Sequence, residues 1–303
     1  MILALGKQSD ETLASILDVL ESRGEAFLFL DQMGFTKGSR IRWDSDAPER
    51  SWVSNASGEE IHLDRITAVF NRLDITPNED SGLFPEDRRF VRNELKAAWA
   101  GLLDSLSCPL INPQSVGQVP GPYFADIRRV RAIRAAGLAT PALLVTSDLE
   151  RALDFSQRCR GWIAIGSPSN HAPQELLSAA DAVDDLRARV ERMPIYLMEI
   201  PPGEILRVYV VGNRCWAAHR EADGSWNCGL EIEASPSLSH RCRAAMRELG
   251  WPFVQFDLAR EESGMLWCLA VTDQPAMAGR GLAALRDSVH GEVASLLAGS
   301  AGT

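Results

Sequence analysis

The apolar segments of this chain change character along its length, and that change restricts the fold more than any other feature. Residues 2–5, 26–30 and 66–70 read as short apolar strands, the pattern of strands covered on both faces in a parallel sheet. Segments 195–200, 206–211, 215–219 and 226–232 instead read as successive antiparallel strands, with Gly212-Asn213 supplying a hairpin turn. The fold class that accommodates both is α/β, with a parallel sheet near the N-terminus and antiparallel sheet further on.

Between these regions the punctuation divides the chain. Asp10 caps a helix over 12–20, and 40–63 reads as a meander turning at Asn55-Ala-Ser-Gly58. A long helix over 86–106 places Phe90, Val91, Leu95, Ala98, Trp99, Leu102 and Leu106 on one stripe. Pro109, Pro113 and the cluster at 117–122 mark a joint, so the first domain is expected over 1–115. An Arg-rich helix over 126–136, stopped at Gly137, leads to a strand over 140–146, a helix from Ser147-Asp148, a strand over 161–166 and a charged helix or loop over 181–192. That gives a small subdomain over 116–193. A C-terminal subdomain over 194–303 holds the antiparallel strands, a helix over 239–249, two strands over 253–258 and 265–271, and a closing helix over 282–297. Gly6 after the first strand is not a dinucleotide fingerprint, which needs three glycines at that turn.

Charge and special residues exclude several function classes. The 303 residues carry a formal net charge of -10, so nucleic-acid phosphate and anionic lipid meet no bulk attraction, although a local basic patch stays open. The N-terminus has five apolar residues and no basic region, and no apolar run reaches the length of a bilayer. A cytoplasmic protein with no nucleic-acid and no membrane partner is expected. Six cysteines and five histidines are scattered without metal-ligand spacing, which reads as reduced thiols and no zinc site. Lysine stops at Lys96, and only three lysines stand against 28 arginines.

Four stretches carry a resemblance. They are Pro109-Leu-Ile-Asn-Pro113 after the Trp-bearing helix, Arg134-Ala-Ala-Gly-Leu-Ala-Thr-Pro141 running into Leu144-Val-Thr-Ser-Asp148, the hairpin from Leu206 to Ala218, and Leu249-Gly-Trp-Pro-Phe-Val-Gln-Phe-Asp257. In this order the chain resembles the ATP-grasp superfamily, particularly the RimK-like and peptide-maturase carboxylate-amine ligases. The resemblance implies an ATP-grasp fold, with a pre-ATP-grasp domain before α+β subdomains. It also implies a reaction in which ATP phosphorylates a carboxylate and an amine displaces the phosphate, assisted by Mg2+.

Family residues carry over unevenly. One family lysine should fall near Asp126 or Ile127, where Arg128 or Arg129 offers a guanidinium instead, and the other near Ile165, which offers nothing. Asp257 matches the first metal ligand, whereas Ala270 and Thr272 stand where Glu and Asn are expected; a one-residue slip would bring in Asp273. Met198, Glu199 and Ile200 resemble the strand that meets adenine and ribose, and Arg207 the arginine that faces phosphate, the catalytic position. Arg72, at the end of a first-domain strand, matches an arginine placed to bind a substrate carboxylate. Each also has a structural reading: core for Met198 and Ile200, a solvated face for Glu199, a strand end for Asp257, local ion pairs for Arg207 with Glu204 or Glu199 and for Arg72 with Asp74. The leading expectation is an ATP-grasp pseudoenzyme with eroded ATP and Mg2+ sites that binds a peptide or protein partner. The alternative is an active peptide-modifying ligase using ATP and Mg2+ through Arg128 or Arg129, Arg207, Asp257 and Asp273. A homo-oligomer is compatible with either.

Overall fold

The computed structural model describes residues 1–32, 38–73, 84–113, 127–159, 162–166, 175–178, 183–228, 235–277 and 279–299. The N-terminal part runs β1 (Ile2–Gly6), α1 (Glu11–Ser22), β2 (Phe27–Asp31), β3 (Arg40–Arg42), β4 (Trp52–Ser54), β5 (Glu60–His62), β6 (Ala68–Asn71), α2 (Pro85–Ser105) and β7 (Leu110–Ile111). β2, β1, β6 and β7 form a parallel sheet in that order, and β3, β4 and β5 form the expected meander. All five residues of β1 are buried, as a strand covered on both faces requires. Leu3, Leu5, Leu28 and Val69 pack on one side against Trp99, Leu102 and Leu103 of α2. Ile2, Ala4 and Phe70 pack on the other against Leu13, Ile16 and Leu20 of α1.

The apolar stripe read into α2 extends too far. Phe90 is 66% exposed and Ala98 is exposed, so the buried face begins near Leu95. The first turns of the helix stand outside the layer that its last three turns cover.

The next elements are α3 (Ile127–Ala135), β8 (Leu143–Thr146), α4 (Leu149–Arg158), β9 (Trp162–Gly166), β10 (Glu175–Ser178), α5 (Val183–Val190) and β11 (Ile195–Ile200). They build an antiparallel sheet in the order β10, β9, β11, β8, backed on one face by α4 and α5. Two expectations need correction. β10 has no counterpart in the sequence reading, and β11, expected to open the later antiparallel run, pairs instead with β8 and β9.

The C-terminal part contains β12 (Glu204–Val211), β13 (Arg214–Arg220), β14 (Trp226–Asn227), α6 (Pro236–Leu249), β15 (Phe253–Arg260), β16 (Leu266–Thr272) and α7 (Ala283–Gly299). Its sheet runs β14, β13, β12, β15, β16, with the β12–β13 hairpin turning at Gly212-Asn213. α6 and α3 cover one face through Cys242, Ala245, Met246 and Ile133. α7 covers part of the other, and its Leu285, Val289, Val293 and Leu297 also touch the core beneath α1, joining the N-terminal sheet to this one. The sequence boundary at 115 and its Pro-Gly cluster lie outside the described residues, as do Asp126 and Asp74.

Polar side chains complete that junction. Asn112 pairs with Phe253 as a backbone strand would, its Nδ2 donating to the carbonyl at 2.6 Å and its Oδ1 accepting from the amide at 3.0 Å. Asn71 donates to the carbonyl of Asn112 at 3.0 Å. Buried amides held on both sides in this way specify one relative placement of the two sheets.

Candidate functional site

β12 and β15 are paired so that Arg207 lies opposite Asp257, and β16 places Ala270 on the other side of Asp257. Alternation puts Arg207, Tyr209, Gln255 and Asp257 on one face of the sheet. The guanidinium grips the carboxylate through two bonds, Nε to Oδ1 at 2.7 Å and Nη2 to Oδ2 at 2.9 Å, with the side chains 19% and 24% exposed. Burial alone would lower the Arg207 pKa, but the adjoining carboxylate overrides it and holds it above its ordinary value. Trp226 of β14 then stacks on the guanidinium, 4.4 Å from ring centre to Cζ.

Trp226 is itself clamped. Its amide donates to the carbonyl of Arg280 at 2.9 Å, and Gly281, at φ 93°, approaches so closely that a Cβ there would meet the Trp226 carbonyl oxygen at 1.8 Å. Only glycine fits that contact. Gln255 donates to Asp257 at 3.3 Å and accepts from the amide of Ala276 at 3.2 Å, while the Tyr209 hydroxyl donates to the carbonyl of Ala276 at 2.9 Å. Burial pushes that phenol up to about 12, so it stays a donor.

The segment after β16 is pinned in the same manner. Asn112 donates to the carbonyl of Asp273, and Arg72 donates to the carbonyl of Pro275 at 3.1 Å and to the Asp10 carboxylate at 2.6 Å. Arg72 is thus committed within the protein, at the seam between the two sheets. The Asp273 carboxyl is raised by burial, against the pull of Arg129 and Arg72. Arg129 is 2% exposed and lies over Trp251 at 5.0 Å, whereas Arg128 is exposed. Of the two arginines weighed for the first lysine position, Arg129 is the one turned inward.

The second sheet departs from expectation at two positions. Ile165 is buried, but against Ala152 and Phe155 of α4 and Leu186 and Val190 of α5, behind the sheet. The opposite face of β9 carries Trp162, Ala164 and Gly166, and Trp162 is 55% exposed. β9 itself carries no cationic side chain. Met198 is buried between Ala164 and Leu143, and the Glu199 amide donates to Ala142 at 3.0 Å, so both edges of β11 are engaged there. Ile200 pairs with Trp162 on one side.

Glu199 opens instead on a cavity of about 610 Å³ between α3, α4 and the edge strand β8. Val130, Pro141, Leu143 and Phe155 supply apolar wall, and Arg134, Arg158 and Glu199 supply charge. Cys159, also in the wall, is raised to about 11 by burial and then by the Glu199 carboxylate, which leaves it a thiol at neutral pH. The sequence reading singles out Glu199, but not the cavity, which only the meeting of α3, α4 and β8 creates.

A magnesium-bound triphosphate demands cations for phosphate and several hard oxygens for the metal. Both carboxylate oxygens of Asp257 are held by Arg207, and β16 offers Ala270 and Thr272. Among the described residues no group of three or more His, Cys, Asp or Glu side chains is placed to hold a metal ion. Replacing Arg207 with Met should strand the Asp257 carboxylate and cost about 2 kcal/mol, and combining it with Asp257→Asn should cost less than the two changes separately, as a double-mutant cycle by urea unfolding measures.

No protein-family model matches the sequence, and no curated protein matches it at a significant level. Solved structures do match over nearly the whole chain. The macrocyclase MdnC of Microcystis aeruginosa MRC, solved with its precursor peptide MdnA, superposes with a TM-score of 0.80 at 16% identity, covering 99% of this chain and 100% of that one. The ATP-grasp ligase PsnB, complexed with a minimal precursor, Mg and ADP, gives 0.77 at 19% identity over 100% and 98%. A RimK domain ATP-grasp protein of Sphaerobacter thermophilus DSM 20745 gives 0.63 at 13% identity over 97% and 98%. The chain has the ATP-grasp fold.

Proposed function

We propose that this chain is a peptide-binding relative of the ATP-grasp peptide ligases in which an internal ion pair has replaced the metal and triphosphate. The observation that carries the reading is the Arg207–Asp257 pair under Trp226: the arginine expected to face phosphate and the aspartate expected to hold metal satisfy one another. A bidentate guanidinium–carboxylate pair that is mostly buried gives up neither partner cheaply.

Peptide binding draws support from two sides. MdnC and PsnB are solved with precursor peptides, and the cavity beside β8 offers the partner-binding chemistry of apolar walls with a few charged groups. Among the described residues β8 is the last strand of its sheet, and its outer edge adds backbone groups for an extended chain. Synthetic peptides from short reading frames encoded beside this protein supply the test. Binding without nucleotide is expected in the micromolar range, and Ala142→Trp, which fills the cavity from an exposed position, should weaken it by about tenfold or more. Binding that Ala142→Trp leaves unchanged sinks the cavity as the seat.

Two observations favour the second reading, an active ATP-dependent ligase with a rearranged site. Arg129 is turned inward on the same side as Asp273, and Ile165 packs behind its sheet rather than toward the C-terminal sheet. In that reading Arg129 and Arg207 would face phosphate, and Asp257 and Asp273 the metal, after the Arg207–Asp257 pair opens.

A further inference from the structure

Among the described residues β8 is paired on one edge only, and the phase of that pairing fixes what its other edge offers. The Glu199 amide donates to the carbonyl of Ala142 at 3.0 Å, so in this antiparallel pair Ala142, Leu144 and Thr146 direct their backbone groups toward β11. Leu143 and Val145, in between, direct their N–H and C=O groups outward, and Val145 is exposed. Pro141, the next outward position, keeps its carbonyl but has no N–H. At the other end the Thr146 hydroxyl accepts from the Asp148 amide at 2.9 Å as the chain turns into α4. The two walls beside this short edge differ. Leu143 packs in one cluster with Val130 and Ile133 of α3, and Leu144 in another with Phe155 of α4 and Cys159.

We infer that the cavity beside β8 takes its peptide as an added strand of that sheet, bonded to Leu143 and Val145, with apolar side chains toward α4 alternating with polar ones toward α3. The inference rests on the cavity being a peptide seat, and adds to it the bound conformation and the side-chain pattern. A row of outward N–H and C=O groups is a template for a further strand, whereas a helix satisfies its backbone internally and would shut these groups away from water without pairing them. Side chains of an added strand stand on the same two faces as those of β8. On the α4 face they meet Phe155 and Cys159, whose thiol stays protonated and adds to the apolar wall. On the α3 face they meet Val130 and Arg134, and Arg134 already donates to Thr140 at 2.8 Å, so that wall offers a settled polar surface. A peptide of alternating apolar and small polar residues matches both.

Fluorescence anisotropy on the full chain tests this with a fluorescein-labelled short peptide of alternating threonine and leucine. N-methylating its backbone one residue at a time should weaken binding by about tenfold or more at every second position and hardly at the positions between, because only alternate amides face β8. Val145→Pro removes one outward donor from an edge position where proline is tolerated, and should weaken binding of the unmodified peptide to a similar degree. Should that variant fail to unfold cooperatively in urea, the N-methyl scan on the wild type still decides. Equal losses at every N-methylated position, or none at any, overturn the added strand; if Ala142→Trp still weakens binding in that case, the cavity remains the seat. Tighter binding of a helix-forming peptide of alanine and leucine overturns the strand as well. Absence of binding by the alternating peptide, with peptides encoded beside this protein still binding, overturns the strand and spares the seat, whereas absence of binding by all of them overturns both.

Discussion

Replacing Arg72 with Met is expected to destabilise this protein by about 3–5 kcal/mol. Its side chain is 7% exposed, and it holds together three elements distant in sequence: the strand end after β6, the Asp10 cap of α1 and the carbonyl of Pro275 beyond β16. Asp10 already uses Oδ1 to accept from the amides of Thr12 and Leu13, so the arginine takes the remaining oxygen. Without it, a largely buried carboxylate and a buried carbonyl both lose their donor. Lysine would not restore the pair of contacts, because a point charge cannot reach both acceptors as a fork does. Urea unfolding checks the size. Asp10→Asn combined with Arg72→Met should cost clearly less than the sum of the single changes; strict additivity would mean that the contact stabilises nothing.

Acidification should weaken the fold through His290. This residue is 1% exposed on α7, and its Nδ1 meets the hydroxyl of Ser15 on α1 at 2.8 Å. Burial, reinforced by Arg286 and Arg72 and opposed by Asp287 and Asp10, lowers its pKa to about 4. The sign follows from which state binds the proton first. Above the ordinary value both states are neutral and stability is unaffected; as pH falls below it the unfolded chain takes a proton that the native state refuses. Stability is therefore lost between about pH 6.5 and about pH 4, by on the order of 3 kcal/mol, and the loss levels off below that. His290→Gln should flatten this part of the unfolding free energy against pH. An unchanged acid limb in the variant would assign the effect to carboxylates instead.

What the sequence revealed about the fold follows the range of the interactions involved. The apolar runs of β1, β2 and β6, the stop at Gly137 and the turn at Gly212-Asn213 are local signals, and each appears where expected. The alternation of β11 marks an antiparallel strand, and only its partners β8 and β9 decide which sheet it joins. Ile165 illustrates the sensitivity of period two: a strand shifted by one residue presents its other face, and Ile165 belongs to the face beneath α4 and α5. Asn112 gave a weak signal, a polar residue between Ile111 and Pro113, and its role needs Phe253, which is far away in sequence.

The site was legible in its residues and not in their partners. Arg207 and Asp257 were singled out separately, for phosphate and for metal, and the β12–β15 register brings them face to face. Nothing local in the sequence distinguishes Trp226 as a stacking tryptophan from a packing one, and the glycines at 279 and 281 that enclose it lie far along the chain. The cavity beside β8 was invisible, since a hollow is defined by what several elements leave unfilled.

The central claim is that Arg207 and Asp257 now serve each other instead of a nucleotide. Isothermal titration calorimetry of the wild-type protein with Mg-ATP tests it most directly. The expected result is no heat of binding at millimolar nucleotide; micromolar binding that Arg207→Ala abolishes would contradict it and establish the ligase reading in its place.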